Sequence, residues 1–515
     1  MANRLACYLV NSLCALIYRK ECRNFLNIRD VRAVQEEKLR AILSSNRGSE
    51  YGKLYGFGDI NSIEDFQKKV PLSDYEDYLP YIEKIKKGEA GILTEEDVLL
   101  LELSSGSTSA SKLIPYTKSL KDEFQRGIRP WLCDLLSNRP GIKWGKSYWS
   151  ITPAATKNQY TEAGIPIGFE DDKEYFGAIE KRLLDKVMAV PSEVAKSESV
   201  EEFYHRTALE LLRCKELTLI SVWNPSFLML LLEYMERNSK MLVAELSRID
   251  RKRAGEIKML LDAGEYGGLW KDLKLISCWS DANAKIYAER LKDIFPGVEL
   301  QPKGLLATEG FVSFPLTDAG GAVLSVNSHF FEFQSVDDNG IFTADCLEKG
   351  GKYSVILTTS GGLYRYKLKD VIEVEGFYRS IPVISFLGKL DKVSDLFGEK
   401  LNEVFVKEVL EKQGIKDCFF MVAPEQDRYV LYIDAEKASE GLAETIDKAL
   451  RENFHYDYCR KLGQLKELRV FGLEGNPQKE YLEGCVMRGQ KLGDIKPAVL
   501  HLMGGWDKVF RGDYL

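Results

Sequence analysis

Val98-Leu99-Leu100-Leu101-Glu102-Leu103, followed at once by Ser104-Ser105-Gly106-Ser107-Thr108-Ser109-Ala110-Ser111-Lys112, is the stretch from which this chain is best read. The apolar run has the length and composition of a buried strand. It ends in small hydroxyl residues around one glycine, and a lysine closes it. Such a loop suits a phosphate group. The glycine permits close backbone approach, hydroxyls and N–H groups donate to phosphate oxygens, and the lysine adds a point charge. The Walker A pattern G-x-x-x-x-G-K-[ST] does not occur, which disfavours P-loop chemistry. Taken alone, a Ser/Thr/Gly cluster between periodic segments serves equally well as a solvated turn.

The chain has 515 residues, too many for one hydrophobic core, so two or more domains are expected. A hydrophobic share of 45% and a charged share of 29% belong to an ordinary globular protein. The net charge is −7, with both signs mixed along the chain, and no basic stripe marks a nucleic-acid groove. Ten scattered cysteines without a C-x-x-C pair argue against a disulfide framework or a zinc site and suit a cytoplasmic protein. Only four histidines occur (His205, His329, His455 and His501), none near another, so a Ser-His-Asp or His-rich metal site has little support. Leu5 to Tyr18 is apolar but too short to span a bilayer. Within it Leu5, Leu9, Leu13 and Ile17 fall at i, i+4 spacing, which predicts one buried stripe of an amphipathic helix. Neither a nucleic acid nor a membrane is expected as a partner, and the protein is expected to be a monomer.

Residues 30–46 and 62–88 read as helical. Ser62 with Asp65, and Ser73 with Glu76, have capping-box spacing, and Pro71 separates the two segments. Strands are predicted at 98–103, 147–152, 217–222 and 273–277, with helices at 198–213, 226–248 and 282–294 between them. That alternation predicts an α/β domain with a mostly parallel sheet. After about residue 320 the strands come close together, at 322–327, 329–334, 340–344 and 353–359, which predicts a β-rich subdomain. From about 388 a small α+β unit follows: a helix at 401–413 stopped by Gly414, strands at 418–423 and 428–434, a helix at 440–453 and a strand at 466–471. The expected division is 1–388, with the β-rich part at about 320–388, and 389–515.

Three further segments carry chemistry only in combination. Leu305-Leu306-Ala307-Thr308-Glu309-Gly310 follows the predicted strand Val298-Glu299-Leu300. Beside a triphosphate, its carboxylate would serve to hold Mg²⁺. Leu357-Thr358-Thr359-Ser360-Gly361-Gly362-Leu363-Tyr364-Arg365-Tyr366 reads as a hairpin and leads to Asp370, placed to accept ribose hydroxyls. Gly489-Gln490-Lys491-Leu492-Gly493-Asp494-Ile495-Lys496-Pro497 puts two lysines in a turn-rich segment.

In that order, these segments resemble the motifs of adenylate-forming enzymes. More closely, the chain resembles the auxin-responsive (Gretchen Hagen) acyl-acid amido synthetases and their microbial relatives. The likeness includes Glu50-Tyr51-Gly52-Lys53, Ile165-Pro166-Ile167-Gly168, Cys278-Trp279-Ser280-Asp281, Phe330-Phe331-Glu332-Phe333 and Gly398-Glu399-Lys400, and runs from about residue 30 to about residue 500. The resemblance implies an ATP- and Mg²⁺-dependent ligase that makes an acyl-adenylate from a small carboxylic acid and passes the acyl group to an amine, most readily an amino acid. It implies that Ser104, Ser105, Gly106, Ser107, Thr108 and Lys112 hold the phosphates. Thr308 and Glu309 would sit at the α-phosphate and Mg²⁺, with Asp370 on the ribose. Lys496 would act as the catalytic lysine of a mobile C-terminal domain that pivots near Lys389-Leu390-Asp391, and Lys491 is the alternative. Departures stand beside the likeness. Lys369 replaces a glycine common before the ribose aspartate, and Lys389 replaces a common arginine. Leu305 stands about where plant members carry a tyrosine, and Pro497-Ala498 replaces a proline-arginine pair. An acyl-CoA or carrier-protein ligase, and a non-catalytic nucleotide-binding relative, are the alternatives.

Overall fold

The computed structural model describes residues 2–104, 112–150, 159–168, 186–197, 199–281, 284–390, 393–394, 396–490 and 495–515. They divide into two compact units. The first comprises Met1–Trp279, Leu291–Leu368 and Ile372–Phe386, and the second Ser280–Arg290, Lys369–Val371 and Leu387–Leu515.

The first unit opens with the helices α1 (Ala2–Leu26), α2 (Val31–Ser45), α3 (Ile63–Lys69), α4 (Tyr75–Lys86) and α5 (Lys118–Asn138). Their starts are written locally: Asp30 accepts the Ala33 N–H, Ser62 that of Asp65 and Thr117 that of Leu120. The box expected at Ser73 and Glu76 lies one residue later, where Asp77 accepts the Asp74 N–H at 2.8 Å. The expectation for α1 is overturned. Leu5, Leu9, Leu13 and Ile17 are 53, 59, 44 and 46% exposed, whereas Cys7, Cys14, Ala15, Tyr18, Cys22 and Phe25 are buried. α1 packs on α5, where Cys133 lies 3.6 Å from the Ala15 carbonyl and Arg129 pairs with Glu21 at 2.8 Å. Small cysteines and an alanine let the two helices approach closely. Turning the leucine stripe inward would instead carry Arg19, Lys20 and Arg23 toward the interior, and unpaired charges are costly to bury.

β1 (Leu100–Ser104) pairs antiparallel with β2 (Lys112–Tyr116), so that Ser104 lies opposite Lys112. A parallel sheet follows, built in chain order from β3 (Lys146–Trp149), β4 (Leu217–Ser221), β5 (Leu275–Cys278) and β6 (Glu299–Pro302). Among its connections are α6 (Val200–Arg213), α7 (Pro225–Arg237), α8 (Ser239–Ile249) and α9 (Arg251–Asp262). The single helix expected over 226–248 is two, broken at Asn238, whose side chain competes for backbone hydrogen bonds.

β7 (Leu306–Ala307) and β8 (Gly310–Phe311) form a two-stranded hairpin. Beyond it a seven-stranded sheet takes β9 (Ser313–Leu316), β10 (Gly321–Leu324), β11 (Phe330–Ser335), β12 (Ile341–Thr343), β13 (Lys352–Thr358), β14 (Tyr366–Tyr378) and β15 (Ile381–Lys389), in the order β9-β10-β15-β14-β13-β11-β12. A buried ion pair crosses this region. Both nitrogens of the Arg365 fork reach Glu332 at 2.9 Å, and Arg365 also donates to the Gln67 and Val70 carbonyls.

The second unit holds α10 (Glu403–Lys412) and a sheet of β16 (Phe420–Glu425), β17 (Arg428–Asp434), β18 (Arg469–Leu473) and β19 (Gly512–Tyr514) in that order. Val406, Leu410, Val422, Leu431, Ile433, Ile446 and Val470 lie in its core. No helix among the described residues is long and apolar enough to cross a membrane.

Candidate functional site

In the first unit, β1 and β2 bring the two ends of the serine-rich loop together. Ser105, Gly106, Ser107 and Thr108 lie outside the described residues. Ser104, directly opposite Lys112, donates its hydroxyl to Glu309 Oε1 at 3.2 Å. The strand end and the Thr-Glu step, 205 residues apart, therefore meet. Lys112 is half-buried, with Nζ 3.3 Å from the Tyr366 hydroxyl and 5.5 and 5.9 Å from the Tyr75 and Tyr366 ring centroids. Tyr75 in turn accepts the Leu113 N–H at 2.7 Å and so ties β2 to α4.

Thr308 and Glu309 occupy the turn between β7 and β8, and the Tyr116 hydroxyl donates to the Thr308 carbonyl at 2.6 Å. Gly304 and Gly310 serve here through close approach. A Cβ on Gly304 would lie 2.1 Å from the Ser313 carbonyl oxygen, and one on Gly310 would lie 3.1 Å from His329 Nε2. Leu305, just before β7, is buried.

A buried polar relay, absent from the sequence reading, holds this turn. The Phe311 N–H donates to His329 Nε2 at 2.9 Å, and His329 Nδ1 lies 3.0 Å from Glu123. Nε2 is therefore the acceptor and Nδ1 carries the proton. Glu123 also accepts the Ser360 N–H and hydroxyl at 3.0 and 2.8 Å, with the Lys38 ammonium 4.0 Å away. Burial alone would raise the Glu123 carboxyl, but His329, Lys38 and the Ser360 N–H hold it below the ordinary carboxylate value. Burial pushes the Lys38 ammonium down to about 8 against the pull of Glu123. The available signal was a carboxylate on α5 among the apolar neighbours Leu120, Phe124 and Ile128.

A second missed group lies at the C-terminal ends of the parallel strands, where α/β sheets commonly bind ligands. Lys303, buried just after β6, donates to Ser221 at the end of β4 at 2.8 Å. Its ammonium sits 5.4, 5.7 and 4.4 Å from the ring centroids of Trp131, Trp149 and Trp223. An ammonium among three indole rings makes a cationic, aromatic cluster.

In the second unit, Asp370 is buried with Lys389 Nζ 3.4 Å from its Oδ1. The Leu390 N–H donates to the Lys369 carbonyl at 2.8 Å. Lys369 has φ +65°, the left-handed region, which explains why glycine suits this position. Gly398-Glu399-Lys400 also has a role here. Glu399, fully buried, accepts the Leu396 and Phe397 N–H groups at 2.6 and 2.8 Å and closes the turn before α10. The Lys496 side chain is exposed, and its carbonyl accepts the Tyr481 hydroxyl at 3.0 Å. Lys491 lies outside the described residues. Among the described residues, no three His, Cys, Asp or Glu side chains gather as a metal site.

The sequence matches the model of the GH3 family N-terminal domain over residues 23–300, of its central domain over 322–389 and of its C-terminal domain over 403–501. The chain belongs to the GH3 family. Among its GH3 relatives is the indole-3-acetic acid-amido synthetase GH3.8 of Oryza sativa subsp. indica, 23% identical, the match covering 74% of this chain and 70% of that protein. The indole-3-acetic acid-amido synthetase GH3.10 of Arabidopsis thaliana is 24% identical, with 90 and 91% covered. The jasmonoyl–L-amino acid synthetase JAR6 of Nicotiana attenuata is 25% identical, with 70 and 69% covered. The solved structure of the GH3.15 acyl acid amido synthetase superposes with a TM-score of 0.79 at 20% identity, covering 98% of this chain and 96% of that one. The expected α/β architecture, with its parallel sheet, β-rich part and α+β C-terminal part, is thus the GH3 fold.

Proposed function

We propose that this GH3 protein is an AMP-forming acid–amino acid ligase. The observation that carries the reading is the convergence of Ser104, Lys112, Thr308 and Glu309 in a chain that matches all three GH3 domains. In the first step the acid's carboxylate oxygen attacks the α-phosphate of ATP and pyrophosphate leaves. In the second an amine attacks the acyl carbon and AMP leaves. Both reactants of the first step are anions, so positioning and cations at the developing charge supply the catalysis. No enzyme nucleophile is needed.

Lys112 is assigned to the phosphates together with Ser104, Ser105, Gly106, Ser107 and Thr108. Thr308 is assigned to the α-phosphate, Asp370 and Lys389 to the nucleoside side, and Lys496 to the transferring centre. Mg²⁺ fits the oxygen donors at Glu309 and Ser104, which suit a hard cation that takes its remaining ligands from phosphate and water. Bound there, it would neutralise phosphate charge. The C-terminal part from about 389 is proposed to turn about Lys389-Leu390-Asp391 between the two steps. The cationic, aromatic cluster around Lys303 is proposed to receive the acid, which favours an aromatic or other flat apolar one.

The test is acid-dependent ATP–pyrophosphate exchange over a panel of aromatic, aliphatic and fatty acids, followed by acceptor screening with amino acids and CoA. No exchange with any acid would refute the enzyme assignment. Acceptance of CoA in place of every amino acid would move the protein among the acyl-CoA ligases.

A further inference from the structure

α1 (Ala2–Leu26) lies almost wholly before residue 23, where the GH3 match begins, and it presents to solvent the face that a soluble helix would hide. Leu16 is exposed with Leu5, Leu9, Leu13 and Ile17. At about 100° per residue these side chains form one stripe, and Arg19, Lys20 and Arg23 fall on the same face near its C-terminal end. Trp144, 45% exposed, flanks the helix and stacks on Tyr8 with ring centroids 4.2 Å apart. Of the remaining charges on α1, Arg4 pairs with Asp272 and Glu21 with Arg129. The exposed face is therefore apolar and cationic, in a chain whose net charge is −7.

We infer that α1 docks the protein reversibly on an anionic lipid surface, lying in the plane of the interface. Leucines on one side, cations beside them and a tryptophan at the flank are what a headgroup boundary receives, apolar groups inward and charge toward lipid phosphates. A second copy of the chain fits less well. Five half-exposed side chains present on the order of 400 Å² of apolar surface, an ordinary functional patch but about half of what each partner buries in a stable complex. Two copies meeting in parallel on this face would also bring their Arg19, Lys20 and Arg23 clusters together. The inference is independent of the proposed ligase activity.

The experiment is flotation of the full-length protein with phosphatidylcholine vesicles, with and without phosphatidylserine, at low and physiological salt. Leu9→Glu/Leu13→Glu and Arg19→Glu/Lys20→Glu are compared with the parent. All four positions are exposed, so melting temperature and molecular mass in solution should stay unchanged and report folding. Recovery with phosphatidylserine vesicles is expected, falling with salt and reduced by at least about tenfold in either double variant. No recovery of the parent, or recovery that both variants retain, would overturn the inference. So would a parent dimer that Leu9→Glu/Leu13→Glu converts to monomer.

Discussion

Replacing Lys112 by methionine separates the catalytic reading of the β1–β2 loop from a structural one. Methionine keeps most of the stem and removes the ammonium. What the fold loses is countable: one hydrogen bond to the Tyr366 hydroxyl at 3.3 Å and two ring contacts at 5.5 and 5.9 Å. A half-exposed cation–π contact contributes about 0.5–1 kcal/mol, and a long hydroxyl hydrogen bond about as much. The loss of stability should therefore stay at about 1.5–3 kcal/mol, too little to unfold a protein of this size. If Lys112 meets phosphate charge as it develops, its removal should slow adenylation by about 10²–10³, equivalent to about 3–4 kcal/mol in the barrier. The assay is ATP–pyrophosphate exchange with the best acid, beside urea denaturation of the same sample. Lys112→Arg should be intermediate, since it keeps the charge but spreads it over a planar fork. Full exchange by Lys112→Met would show that the lysine only packs on two tyrosines. A loss of exchange matched by a loss of folded protein would refute the argument equally.

Arg365→Met leaves the fully buried Glu332 without its bidentate partner, and should destabilise the first unit by about 3–5 kcal/mol in urea, with partial recovery in Arg365→Met/Glu332→Met. The folded-state pKa of Lys38 is about 8, below its ordinary value, so between pH 8 and about 10.5 the unfolded chain binds the extra proton. Stability must then rise with pH across that window. Relative to Lys38→Met, the parent should gain up to about 3 kcal/mol, and a flat or falling difference would contradict the burial argument. Lys369→Gly removes a left-handed lysine and should raise stability by about 1 kcal/mol, read as a higher denaturation midpoint. Lys496→Ala should slow adenylation by about 10²–10³ while sparing amide formation from supplied acyl-adenylate, and Lys491→Ala is the control that identifies which lysine acts.

What the sequence made legible was local or ordered along the chain. β1 and the alternation leading to the parallel sheet follow from short apolar runs and turn residues. Most helix starts follow from one capping side chain, although at Asp74 the signal was a residue out because Ser73, Asp74, Glu76 and Asp77 offer two overlapping boxes. α1 shows the limit of periodicity. A helix with leucines on one side and cysteines, alanine and aromatics on the other has two apolar faces, and spacing does not say which one a neighbour covers. The relay from Phe311 to Glu123 was illegible for a different reason. His329 and Glu123 are 206 residues apart, and a lone histidine carries no local sign of its partner. The tryptophans around Lys303 come from α5, the end of β3 and the segment after β4, so only the folded chain gathers them.

The second unit also has a history written into its connectivity. It takes Ser280–Arg290 and Lys369–Val371 from within the stretch that otherwise builds the first unit, and its remainder begins only at Leu387. On a ribosome, Tyr287, buried in the finished protein, emerges roughly a hundred residues before the rest of its unit. At about 5–20 residues per second, that leaves it waiting for on the order of 5–20 s. Through that interval an aromatic side chain destined for a core stands exposed on a half-made chain. Neither unit can close from a contiguous stretch of sequence, so synthesis of this protein carries an obligatory unfinished stage, and slowing translation before residue 387 would lengthen it.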